Sequence, residues 1–248
     1  MDEKYWSVAE VVRLSESFVC ARLLSYESAA EGEFLKSIFH GPSGELENTV
    51  FCILDSDGET PLVRAGRSPD FLLPSRAGEA RDLVASMERV LAKRRSRAEP
   101  SAPAALPLAV DLRRALNTAA CDGLPVVALV ADEVPAELAA AIWSNRLAGE
   151  AVYVRVDAAE ARALEGAKRG DALLVVEPDR FGLEGRVRAR TDDLGAFDAG
   201  WLRTALDCYA SPAKEAREHV RSGRRAGVEW ETEIPVTDSH VPPGRRTR

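Results

Sequence analysis

The sequence is short of the residues that carry the commoner chemistries. Its four cysteines, Cys20, Cys52, Cys121 and Cys208, lie far apart, and no two of them form a C-x-x-C pair. That spacing argues against the close ligand pairs of a zinc site and the adjacent thiols of a dithiol enzyme. The three histidines, His40, His219 and His240, are equally scattered, so neither a metal nor another cofactor is expected. No G-x-x-x-x-G-K-S/T and no G-x-G-x-x-G occurs, which leaves nucleotide phosphates without a glycine cradle. No serine carries the flanking glycines of a hydrolase elbow. The DSDG stretch at Asp55–Gly58 lacks the later ligands and closing glutamate of a calcium loop. A basic excess is also missing. Lys and Arg number 33 against 40 Asp and Glu, a net charge of -7, which argues against nucleic acid as the main partner. No apolar run reaches the roughly 18 residues of a membrane span. The opening MDEKYWSVAEV has no basic start leading to an apolar stretch, so the expected setting is the cytoplasm.

What is present is a globular balance, 46% hydrophobic and 29% charged over 248 residues, enough for one large domain or two ordinary ones. In the first segment Val8, Val11, Val12 and Leu14 suit one face of a short helix. FVCARLL follows as an expected strand, and EGEFLKSIF spaces its apolar residues as a helix. NTVFCILDSDGETPLVRAG predicts a hairpin, because Asp57-Gly58 readily takes the positive backbone angles of a tight turn. A closing helix sets Leu83, Met87, Val90 and Leu91 inward. Residues 96–107 turn to Ala, Pro and Ser and predict a linker. The basic residues from Lys93 to Arg97 suit the negative end of the helix before it.

The second segment runs through a short strand in LPLAV and a helix over VDLRRALNTAACDG. A strand in LPVVALVA then leads to a helix that begins near Pro135. Strand AVYVRVD, a short helix, the hairpin of DALLVVEPDRFGLEGRVRAR and a last helix complete it. FVCARL corresponds to AVYVRV, and the two hairpins correspond as well. The order repeats. Such an order implies a mixed sheet with helices on both faces.

This element order resembles the thioredoxin-like fold. In that family a central strand ends at a C-x-x-C on the first turn of a helix, and a cis-proline precedes the hairpin. The resemblance implies two tandem thioredoxin-like domains of the α/β class. Residues 1–95 would be a partial domain lacking its N-terminal strands, and 108–210 a fuller one. Residues 211–248 would add a basic helix and an extended tail. On this alignment Glu133 and Ala136 stand where the cysteines belong, and Pro135 matches the proline common before the second. The cis-proline position falls near Asp171, and near Asn48 in the first segment. Neither residue holds a cis peptide cheaply.

Thiol–disulfide exchange needs an exposed thiolate and a resolving partner. Cys20 and Cys52, inside expected strands, are the redox candidates, but the leading expectation for all four cysteines is a reduced and mostly buried thiol. The leading expectation is a redox-inactive module that binds a protein partner or serves as a scaffold. An alternative is a thiol–disulfide oxidoreductase whose C-x-x-C lies upstream of Met1, and another is a single-cysteine sensor. Arg217, Arg221, Arg224 and Arg225 form a possible basic stripe for an acidic partner. GVEWETEIPV alternates Val228, Trp230, Thr232 and Ile234 on one face and is a candidate to pair with the exposed strand edges of the first segment.

Overall fold

A computed structural model describes residues 2–23, 28–40, 44, 46, 50–69, 79–95, 105–195, 197–210 and 215–228. Most of the expected linker, the position of Asn48, and Trp230, Thr232 and Ile234 of the tail lie outside these residues. A division between Glu99 and Pro100 separates two compact units.

The N-terminal unit starts with one π-helical turn, Asp2–Trp6, followed by α1 (Ala9–Ser15), α2 (Ala29–Ile38) and α3 (Ala80–Arg95). Ser28 starts α2, its hydroxyl accepting from the Glu31 N–H at 3.3 Å, because the first helical N–H groups have no partner inside the helix. Tyr5, Val11 and Leu14 pack with Leu83, Val84 and Met87 of α3 to make this unit's core. Val12, expected on the same inner face, is 46% exposed instead. Two antiparallel bridges, Phe51 with Gly66 and Leu54 with Pro61, form the expected hairpin. The Asp57 carboxylate fixes its turn by accepting from the Glu59 and Thr60 N–H groups at 2.9 Å, while Gly58 takes φ +75°.

No continuous strand forms among the described residues of this unit. FVCARLL is irregular over its described part, with Val19 75% exposed. The reason is pairing: β-prone residues become a strand only where a neighbouring strand takes up their backbone groups.

The C-terminal unit holds a five-stranded sheet in the order β1-β3-β2-β4-β5. Its strands are β1 (Leu108–Ala109), β2 (Val126–Val130), β3 (Val152–Val156), β4 (Leu173–Pro178) and β5 (Gly185–Thr191). β1, β3 and β2 run parallel, whereas β4 is antiparallel to both β2 and β5. Between the strands come α4 (Leu112–Asp122), α5 (Ala136–Ser144) and α6 (Ala158–Ala163), and α7 (Ala199–Asp207) follows β5.

Alternation along the strands assigns the two faces. Val126, Ala128, Leu174 and Val176 meet Ala115, Leu116 and Ala119 of α4 and Ala161 of α6. Val127, Leu129, Leu173 and Val175 meet Leu138 and Ile142 of α5 and Leu202 and Leu206 of α7. Burial of each such valine, leucine or isoleucine side chain contributes about 1.5–3 kcal/mol, so a sheet covered on both sides is the main support of this unit. Caps and turns set its joints. Asp111 starts α4, accepting from the Arg114 N–H at 2.7 Å. The last turn of α5 closes with the Leu147 N–H donating to the Ile142 carbonyl at 2.9 Å and the Arg146 N–H to Trp143 at 3.1 Å. That closure needs a left-handed residue after the helix, and Arg146 supplies it at φ 58°. A final helix, α8 (Ala216–Arg225), follows. Among the described residues no helix is long and apolar enough to cross a membrane.

Candidate functional site

The turn from β2 into α5 is the candidate site. β2 ends at Val130, and α5 begins at Ala136 after five intervening residues. Val134 packs into the core beneath the helix, which leaves Asp132 and Glu133 exposed on one side and Ala136 and Glu137 on the other. Pro135 occupies the cap position itself: its carbonyl accepts from the Ala139 N–H at 3.1 Å, and no side chain caps the first turn. Glu133 and Glu137 suit the positive end of that helix.

Two neighbours frame the turn. Arg155, at the end of β3, donates from Nη1 to the Asp132 carbonyl. On the other side of β2, the Val130 N–H donates to the Ala172 carbonyl at 2.9 Å, which brings in the loop before β4. In that loop Asp171 accepts from the Lys168 N–H at 2.6 Å. Its carboxylate is nearly covered, 7% exposed, and stands 3.8 Å from the Arg190 guanidinium. No peptide bond among the described residues is cis.

Comparison with protein-family models, with curated proteins and with solved structures finds no match to this chain.

The chemistry of the turn is therefore read from its own groups. Glu133, Pro135 and Ala136 lie together at the turn into α5, with Glu133 and Ala136 exposed and Pro135 partly buried. A carboxylate and a methyl group stand at its two outer positions, and neither attacks a disulfide. Cys20 and Cys52 belong to the N-terminal unit, and all four cysteines are free thiols. The expectation that the cysteines are mostly buried is corrected: Cys20, Cys121 and Cys208 are exposed and only Cys52 is half-covered. Cys121 and Cys208 stand at or just beyond the ends of α4 and α7, on outward positions. Cys20 sits in the irregular stretch after α1, its thiol 3.8 Å from the Ser15 carbonyl. Burial pushes the Cys52 thiol pKa up, and its hydrogen bond to the Ile53 backbone opposes this only in part. Cys52 thus lacks the electropositive, exposed setting of a reactive thiolate.

Arg155 and Asp132 were missed from sequence. The signal for Arg155 was its place in VYVRV, a cation at the end of an otherwise apolar strand. The largest pKa shift in this unit belongs to Tyr153, and it is structural. Burial, then the nearby Glu150 carboxylate, raises its phenol pKa, and the hydroxyl donates to the Leu147 carbonyl at 2.9 Å. Among the described residues no three His, Cys, Asp or Glu side chains gather as a metal site would require.

Proposed function

We propose that the chain is a tandem thioredoxin-like protein without oxidoreductase chemistry, acting in the cytoplasm as a protein-binding or scaffold module. One observation carries this reading. The sheet order β1-β3-β2-β4-β5 sends its central strand β2 into α5 at Glu133-Val134-Pro135-Ala136. That is the order in which a thioredoxin-like unit presents its reactive turn, here with oxygen and methyl in place of sulfur. The N-terminal unit counts as a reduced second copy on the strength of its hairpin over Phe51–Gly66 and the helix α3 that follows. What remains at the β2–α5 turn is a rigid, exposed shape backed by a packed core, and a surface of that kind serves recognition.

Two measurements test the proposal. With dithiothreitol as electron donor, the protein is expected to reduce a disulfide substrate no faster than the buffer does; a rate proportional to protein concentration overturns the loss of chemistry. A photo-crosslinking side chain at Ala136 is expected to yield a discrete adduct in cells, and one at the exposed Leu183 is not. Equal labelling at both positions removes the case for the turn as a contact surface.

A further inference from the structure

We infer that α8 is a docking face for a carboxylate-rich segment of a partner protein. The surface lies outside the sheet and its β2–α5 turn, and the inference stands whether or not the thioredoxin-like reading holds.

Arg217, Val220, Arg221, Arg224 and Arg225 together line a shallow hollow of about 380 Å³. At 100° per residue these five positions fall within an arc of about 140° on the helix. The residues of the opposite arc are covered. Gly223 is buried and Ser222 partly so, and the His219 ring lies 5.2 Å from the ring of Phe181 in the β4–β5 turn. The helix is therefore held by one side and presents arginine on the other. Glu218 is the acidic group on its flank, pairing with Arg221 at 2.9 Å and Arg225 at 3.8 Å. Among the described residues no ion pair is made by Arg217 or Arg224. The four guanidinium groups, set against Glu218 and the capping Glu215, leave this helix a local charge of +2 on a chain whose net charge is -7.

Charge complementarity selects the occupant. Planar guanidinium forks match carboxylates in pairs. The arginines span positions 217 to 225, about 12 Å of helix, the length of a short peptide. A nucleic acid brings a long run of phosphates that the acidic remainder of the chain repels. A lipid surface calls for an apolar helix face to bury, and Val220 is the one apolar side chain lining the hollow. Val220 is 42% exposed and offers a single apolar contact between the arginines.

Fluorescence anisotropy of a labelled eight-glutamate peptide with the full chain provides the test. Saturable binding at low salt that weakens at higher salt is expected. R217Q/R224Q should weaken it about fivefold or more, in line with two solvent-exposed charge contacts. R162Q/R169Q, which removes the same charge elsewhere in the C-terminal unit, should leave it unchanged. All four positions are exposed, and circular dichroism checks that the fold is intact. No binding at low salt, or equal weakening by both variants, overturns the inference. So does tighter, Arg217- and Arg224-dependent binding of an eight-residue thymidine oligonucleotide or of phosphatidylserine vesicles, either of which assigns the face to another class of partner.

Discussion

Replacing Gly182 by alanine tests how the β4–β5 hairpin is seated. The turn is tied by Asp179, whose carboxylate accepts from the Phe181, Leu183 and Glu184 N–H groups at 3.2, 2.6 and 3.0 Å. Gly182 takes φ +71°, and a Cβ there would lie 2.5 Å from the Asn117 Cα and 2.8 Å from the Leu116 carbonyl oxygen. Both are backbone atoms of α4 and cannot rotate aside. The left-handed conformation costs a non-glycine residue about 1–2 kcal/mol. Overpacking against a fixed wall adds about 1–3 kcal/mol, and the stiffer unfolded chain returns up to about 1 kcal/mol. A net loss of about 1–5 kcal/mol follows. Amide exchange in β2 and β4 reports the opening of the C-terminal unit, and such a loss speeds it roughly 5- to 5,000-fold. G185A is the comparison. Its Cβ would meet the side-chain ends of Val176, Leu116 and Leu164 at 2.6, 2.8 and 2.9 Å, which can shift, so its effect should be the smaller. Unchanged exchange in G182A would refute the seating of the hairpin on α4.

Arg146 holds the left-handed position after α5, so R146G should stabilise the unit by roughly 1 kcal/mol; a loss of stability in urea would contradict the assignment. Asp157 caps α6 by accepting from the Glu160 and Ala159 N–H groups, and these bonds lower its pKa from the ordinary 3.8. A lowered native pKa stabilises above the unfolded value and is lost as pH falls through the native one. The contribution of Asp157 should therefore be whole at neutral pH and fade below about pH 3.8. Asp157→Asn should flatten that acid limb, and an identical acid titration would show that the cap does not act. Alkylation of the native protein should modify Cys20, Cys121 and Cys208 first and the half-buried Cys52 last; early loss of the Cys52 thiol would contradict its placement.

Much of the C-terminal unit was legible in the sequence because its signals are local. LPVVALVA is nearly all apolar, as a strand covered on both faces must be. AAEARALEGAK contains the expected short helix, which the structure starts with a capping box of Asp157 and Glu160. Even the two-residue β1 came from LPLAV. The misreadings have non-local causes. FVCARLL carries β-prone residues, yet no neighbouring strand meets its described part, and the chain alone does not announce that. Cys121 and Cys208 follow their outward positions rather than the average habit of their residue type. Val187 and Ala189 pack on opposite faces of the sheet because the register slips between Val175 and Val176, a bulge that a two-residue period cannot display. At the candidate site, Glu133, Pro135 and Ala136 were found from the strand–helix boundary. Arg155 and the loop bearing Asp171 come to it only through the crossing order of the sheet.

The most direct test of the account is to return sulfur to the turn. In E133C/A136C the two thiols should close an intramolecular disulfide in air, adding about 2 kcal/mol of stability for a four-residue loop. The pair shifted by one residue, D132C/P135C, should stay reduced. Mass spectrometry of the alkylated proteins reads both results. Closure in the first variant alone is predicted; two persistently free thiols there, or equal closure in both, would contradict a thioredoxin-like turn at Glu133–Ala136.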